Sequence, residues 1–179
     1  MQRIGQTIWI TGLSGSGKTT LARHVASGLT RGGIPVVLLD GDELRLALSQ
    51  EASVDKHSRE SRLCMAQKYS NLCNLIASQG FTVVMSTISL FQEIHAWNRQ
   101  NLSNYFEIYL KVPLVELQRR DSKQIYSKFE AGDIHDVVGL DLPMDEPQNP
   151  HWLVDFNKSI SVEKIADDIT VHIKGRDLS

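Results

Sequence analysis

The stretch that most constrains this 179-residue chain is Gly12-Leu13-Ser14-Gly15-Ser16-Gly17-Lys18-Thr19-Thr20, close to its start. It reads G-x-x-x-x-G-K-T, the phosphate-loop (Walker A) pattern, and its flanks are those the pattern needs. Ile8-Trp9-Ile10 ahead of it is a short apolar strand. From Thr20 to Leu29 the residues Leu21, Ala22, Val25, Ala26 and Leu29 recur at helical spacing. Glycines let the backbone turn tightly enough to aim successive N–H groups at one phosphate. The helix start adds partial positive charge. The backbone from Gly12 to Thr20 is thus predicted to cradle a nucleotide triphosphate, with Lys18 reaching the β- and γ-phosphates and Thr19 placing its hydroxyl on Mg²⁺.

Further along, the pattern of strand and helix repeats. Ile34–Leu39 is a continuous apolar run after Gly32-Gly33, predicted as a strand buried on both faces. It ends in Asp40-Gly41-Asp42. Glu43–Leu48 reads as a short helix and Ser49–Ser61 as loop. Arg62–Ser78 is helical through Leu63, Ala66, Tyr69, Leu72, Cys73 and Ile76. Phe81–Met85 is a third strand, Gln92–Leu102 a helix and Phe106–Val112 a fourth strand. Pro113 opens a helix running to Arg120. Asp121–Gly132 is charged, and Asp133–Pro150 has little periodicity. A loop that long inside a compact domain is usually functional, so about 119–150 is predicted to form a lid. Trp152–Phe156 is a fifth strand, and Ser161 caps a last helix. The whole is expected to be α/β, a single P-loop domain over 1–179 with a doubly wound parallel sheet, helices on both faces and ligands at the carboxyl ends of the strands.

Composition narrows the possibilities. A formal net charge of −2 gives no footing for a nucleic-acid partner. No apolar run reaches the ~18 residues that a membrane span needs, and no signal-peptide pattern opens the chain, so a cytoplasmic location is expected. Cys64 and Cys73 are about 13.5 Å apart on one helix at ~1.5 Å per residue, too far for a bridge. The six histidines show no metal-ligand spacing.

A phosphate loop alone leaves the reaction open. Guanine-specific GTPases carry an Asn-Lys-x-Asp motif. The one Asn-Lys here, Asn157-Lys158-Ser159-Ile160, lacks the aspartate. Acids at the end of a second strand in a short chain suit a small kinase, which must hold a second substrate over the γ-phosphate. Of Asp40 and Asp42, one is placed to contact Mg²⁺ and the other to orient and deprotonate an acceptor hydroxyl.

The phosphate loop followed by Leu39-Asp40-Gly41-Asp42-x-x-Arg45 resembles the adenylyl-sulfate kinase family. The resemblance continues through Ile88-Ser89, Arg120-Asp121-x-Lys123-x-Ile125-Tyr126, Ala131-Gly132-Asp133-Ile134, Gly139-x-Asp141-x-Pro143 and Pro147-x-Asn149-Pro150. It covers nearly the whole chain in order. It implies an enzyme using ATP and Mg²⁺ to phosphorylate the ribose 3′-hydroxyl of adenylyl sulfate. By matching position, Asp42 would engage that hydroxyl, with Asp40 and Thr19 at the metal. Arg45 and Arg62 would grip the acceptor's anionic anhydride, Ile88 and Ser89 would line its pocket, Lys123 would close over it, and Arg120 would sit near ATP. Fixed cations are what an anionic acceptor needs. Family members are often dimeric, so a homodimer is a further implication.

The acceptor half departs from the family pattern. The family holds the acceptor's adenine between two phenylalanines, and the matching positions here are His57 and Val137. A family asparagine is Met65, and Ile-Ser-Pro-Tyr-Arg is Ile88-Ser89-Leu90-Phe91-Gln92. Each lost stacking pair weakens a purine site by about 1 kcal/mol. The run Ser89-Leu90-Phe91-Gln92-Glu93-Ile94-His95 with Asn98-Arg99 also resembles a subgroup in bacterial capsule pathways, whose acceptor is cytidine diphosphoramidate. Two other classes compete: a catalytically silent nucleotide-binding module, and a kinase of an unrelated small metabolite. The intact Lys18, Thr19, Asp40 and Asp42 speak against the first. Arg45 with Arg62 points to an anionic acceptor, against a neutral sugar in the second.

Overall fold

Strand β1 (Gln6–Gly12) is buried along its whole length and runs down the middle of the molecule. Its alternation decides the layering, because successive side chains on a strand face opposite ways. Ile8 and Ile10 face one layer, where Leu21, Val25 and Leu29 of α1 (Lys18–Arg31) meet Ile169 and Ile173 of α7 (Val162–Arg176). Trp9, fully buried, faces the other. There it packs with Tyr69 and Cys73 of α3 (Arg59–Ala77) and Ile94 of α4 (Gln92–Asn101). The computed structural model describes residues 5–48, 58–121 and 123–176.

Around β1 lie β2 (Val36–Asp40), β3 (Thr82–Ser86), β4 (Tyr105–Lys111) and β5 (Trp152–Asp155), in the order β2-β3-β1-β4-β5, every pair parallel. The register aligns Asp40 with Ser86, Ser86 with Ile10, and Gly12 with Leu110. The phosphate loop, the Asp-Gly-Asp turn and the segment after β3 therefore emerge at one carboxyl edge, where α/β sheets bind ligands. Between β4 and β5 come α5 (Leu114–Arg120), α6 (Ile125–Glu130) and an irregular return. A small third core of Leu13, Leu90, Tyr109, Leu117 and Tyr126 packs beneath that return, with Val138, Leu140 and Met144 against it. No helix among the described residues is long and apolar enough to cross a membrane. Cys64 is exposed, Cys73 is buried, and both are free.

Several boundaries differ from the sequence reading, each for a local reason. β2 is an edge strand, only partly buried, with Leu38 40% exposed. Its apolar run suggested a strand covered on both faces, but the edge position leaves part of it open. α2 (Gly41–Leu48) starts directly after β2, so Asp42 lies in a helix's first turn. Helix α3 begins at Arg59, ahead of the expected Arg62, because the Ser58 side chain accepts the Ser61 N–H at 3.2 Å as an N-cap. Helix α6 was not foreseen. It is nucleated by Asp121, whose carboxylate accepts the N–H groups of Tyr126 and Ser127 at 3.0 and 2.9 Å.

Candidate active site

Gly17 adopts the left-handed conformation (φ 97°) that lets α1 start at once at Lys18. The loop is folded on itself. The Lys18 ammonium donates to the Leu13 carbonyl at 2.7 Å, and the Ser16 N–H to the same oxygen at 3.2 Å. Leu13 contributes that carbonyl, while its side chain is buried in the third core. Burial, with Lys123 nearby, brings the Lys18 ammonium down from 10.5 to about 8, against the pull of Asp42 and Asp40. A neutral amine cannot pair with a phosphate. ATP affinity of the free protein is therefore expected to weaken as pH rises through about 8, and binding near pH 9 to take up about one proton. Calorimetry in buffers of different ionisation enthalpy reads that proton; uptake absent at the higher pH would refute the assignment.

Thr19 and Asp40 are brought together from two elements. The Thr19 hydroxyl donates to one Asp40 carboxylate oxygen at 2.7 Å, and the other oxygen accepts the Asp42 N–H at 2.9 Å. Two hard oxygen donors beside a phosphate loop fit Mg²⁺, which takes few protein ligands and keeps substrate phosphates as others. Among the described residues no group of three or more His, Cys, Asp or Glu side chains is placed to hold a metal ion. The Asp-Gly-Asp turn is braced from behind, where the Tyr69 hydroxyl donates to the Gly41 carbonyl at 2.8 Å.

Asp42 faces a cavity of about 550 Å³ lined also by Lys18, Thr19, Arg45, Arg62 and Lys123. The Lys123 ammonium is hydrogen-bonded to the Asp42 carboxylate. Burial works to raise Asp42, but that hydrogen bond and the charges of Lys123, Lys18 and Arg45 carry it below the ordinary carboxylate value. Arg62 donates to the Asp136 carbonyl at 2.8 Å. Ile88 and Ser89 line the cavity; Ser89, at φ 23°, has its hydroxyl 2.8 Å from that of Thr87. Buried Val137 lines it too.

The return segment is tied to the phosphate loop. The Tyr126 hydroxyl donates to the Ser14 carbonyl at 2.9 Å. A Cβ on Gly139 (φ 87°) would lie 2.9 Å from the Leu13 side chain. Gly139→Ala is expected to cost about 1–2 kcal/mol, a fall of about 2–8 °C in Tm; an unchanged melting curve would show that this packing is dispensable.

The adenylylsulphate kinase family model matches residues 4–155 of the chain. The chain belongs to that family. A cytidine diphosphoramidate kinase of Campylobacter jejuni is 40% identical over 141 residues, covering 79% of this chain and 81% of the relative. An adenylyl-sulfate kinase of Picosynechococcus is 35% identical over 150 residues, covering 84% and 83%. Among solved structures, the APS kinase of Mycobacterium tuberculosis in complex with AMPPNP and APS superposes with a TM-score of 0.86. It is 31% identical, over 97% of this chain and 99% of that one. The family's members of these names are ATP-dependent phosphotransferases, and this chain is an adenylylsulphate kinase-family nucleotide kinase.

Not every residue singled out from the family pattern reaches the cavity. Arg120 is paired with Glu116 at 2.9 Å and lies over the Phe156 ring at 4.8 Å, outside the cavity lining. Met65 packs against the Trp9 core and is absent from that lining. Thr20 is exposed at the start of α1. His57 lies outside the described residues. Conversely, Phe91, Tyr69 and Asp136 line the cavity without having been singled out as site residues. The signal for Tyr69 was present as an apolar helix position, which reads as core. Nothing in the sequence shows that its hydroxyl reaches Gly41.

Proposed function

We propose that the protein is an Mg²⁺-dependent kinase that transfers the γ-phosphoryl group of ATP to the ribose 3′-hydroxyl of a nucleotide bearing an anionic anhydride, and that the acceptor is cytidine diphosphoramidate. The observation that carries the reaction type is the placement of Asp42 with Arg45, Arg62 and Lys123 around one cavity opening on Lys18 and Thr19. The choice of acceptor is supported by Val137. It is small and aliphatic where the family pattern stacks a purine on phenylalanine, and a pyrimidine has less ring face to cover. The 40% identity to the Campylobacter jejuni enzyme supports the same choice.

In this reading the backbone from Gly12 to Thr20 and the Lys18 ammonium hold the triphosphate. Thr19 and Asp40 would hold Mg²⁺, which neutralises charge on the transferring group when bound. Arg45 and Arg62 grip the anhydride, and Ile88, Ser89 and Val137 shape the acceptor pocket. Lys123 leaves Asp42 for the incoming anion. Asp42 then takes the hydroxyl proton as the 3′-oxygen bonds to the γ-phosphorus, and the bond to the β,γ-bridging oxygen breaks to release ADP. The 119–150 region serves as the lid. Arg120 reaches the nucleotide only on releasing Glu116. Met65 acts through packing.

Adenylyl sulfate is the second reading, favoured by the 35% identity to the Picosynechococcus enzyme. The deciding experiment offers both acceptors with ATP and Mg²⁺ and follows products by phosphorus NMR. A kcat/KM at least about tenfold higher for the cytidine compound supports the proposal. The opposite ratio assigns sulfate activation. ATP binding with transfer to neither refutes the kinase reading and leaves a non-catalytic nucleotide-binding module.

A further inference from the structure

Asp136 lines the cavity that holds Asp42, and its backbone is held in place. Its backbone is left-handed at φ 61°, a conformation that aspartate tolerates better than most L-residues. Three contacts hold it there. Its N–H donates to the Asp141 carboxylate at 2.8 Å, the next N–H, of Val137, donates to the other Asp141 oxygen at 2.6 Å, and Arg62 donates to its carbonyl at 2.8 Å. The polypeptide is thus fixed on both sides of the Cα. The Asp136 side chain itself makes no hydrogen bond with any described residue, and the residue lines the cavity that holds Asp42.

Its surroundings narrow what it would meet. Arg62 donates to the Asp136 carbonyl and stands in the field of Arg45, Asp42 and Asp136, which places Asp136 beside the acceptor cations. Ile134, Val137 and Val138, its neighbours in the chain, line the same cavity and supply apolar surface suited to the faces of a base. A carboxylate in a cavity built for an anion opposes binding unless it meets a hydrogen-bond donor. On a nucleotide held by its anhydride at Arg45 and Arg62, the donor beyond the ribose is the exocyclic amino group of the base.

We propose that Asp136 reads the base of the acceptor, accepting a hydrogen bond from an exocyclic amino group, as on cytosine or adenine, and rejecting a keto oxygen at that position, as on uracil or hypoxanthine. This rests on the nucleotide-kinase reading above and assigns a specificity-determining residue to it. The discrimination is asymmetric, because a keto oxygen beside a carboxylate leaves both without a donor.

The test is calorimetric binding of cytidine, uridine, adenosine and inosine 5′-monophosphates to protein saturated with AMPPNP, which fills the donor site. The wild type is expected to bind the amino-bearing member of at least one pair about tenfold or more tightly. The pair with the larger ratio identifies the base. Asp136→Gly, which suits a left-handed backbone, and Asp136→Asn, whose amide also offers a donor to a keto oxygen, should each bring the ratio close to one with AMPPNP affinity retained. A wild type that favours neither base, or a preference that survives in both variants, overturns the inference. A base preference lost in the variants, alongside no phosphoryl transfer to any acceptor, overturns the kinase proposal and leaves this one standing.

Discussion

Replacement of Asp42 by Asn is expected to lower the rate of phosphoryl transfer by about 100- to 10,000-fold while ATP binding is retained. The amide keeps the size and shape of the carboxylate, so the first turn of α2 and the Asp42 N–H bond to Asp40 have no reason to change. On the proposed assignment, what is lost is the ability to take the acceptor's proton, together with the ion pair to Lys123. The two losses separate by pH. In the free protein the carboxyl titrates below its ordinary value of 3.8, held there against burial by Lys123, Lys18 and Arg45, so kcat/KM, which reports the free enzyme, falls on this account only in strong acid. The variant has no such limb. Single-turnover transfer reads the lost rate and kcat/KM against pH reads the lost titration, and wild-type rates in Asp42→Asn would remove Asp42 from the chemistry.

Glu107→Ala is the change expected to cost most in stability, about 3–5 kcal/mol, or a Tm lower by about 6–20 °C at this chain length. The Glu107 side chain is wholly buried in the middle of β4. His95 Nδ1 lies 2.8 Å from one of its oxygens, the Tyr105 hydroxyl donates to that oxygen at 2.9 Å, and Arg99 reaches the other. Its own N–H donates to His151 Nδ1 at 3.0 Å. Removing the carboxylate leaves the buried Tyr105 hydroxyl and His95 Nδ1 without this partner and takes one of the acceptors from Arg99. Arg99 also donates to the Asn149 carbonyl at 2.6 Å, and His95 Nε2 faces the Asp145 carbonyl at 3.3 Å, so the damage spreads to the return segment. Burial pushes the Glu107 carboxyl up, but the His95, Arg99 and Tyr105 contacts bring it net below its ordinary 4.5. A carboxyl lowered on folding stabilises fully above its unfolded value and loses that contribution as pH falls through the folded one. Acid unfolding below about 4.5 should accordingly be shallower in Glu107→Gln than in the wild type. Equal melting temperatures for wild type and Glu107→Ala would refute the role of this network.

The geometry at the phosphate loop was legible because it is local. Lys18, Thr19 and Asp40 belong to short patterns whose spacing alone sets their meeting, and the 2.7 Å contact between Thr19 and Asp40 needs only β1 and β2 to lie in register across β3. The alternation of apolar runs with helical stripes likewise carried the α/β class. Three things were not legible. Strand order is a long-range property, so Ile34–Leu39 read as interior when β2 lies at the edge. Helix α6 has only six residues and depends on a cap four positions ahead of its start, too short a span for periodicity to register. The Glu107 network joins residues 12, 8 and 44 positions apart, and each of them alone reads as an ordinary surface or core side chain. The return segment, where Asp136 is held by Asp141 and Arg62, falls in the same class.

The ion pair between Lys123 and Asp42 bears on economy. Any group able to take a proton from a sugar hydroxyl can take one from water, and a kinase that did so would waste its donor. With Lys123 engaged, the Asp42 carboxylate of the free protein is occupied and less basic than an ordinary carboxylate. On the proposed assignment the anion that draws Lys123 away arrives on the acceptor itself, so the base is released only when the hydroxyl it serves is in place. Idle hydrolysis of ATP is then suppressed by a single side chain that counts the second substrate in.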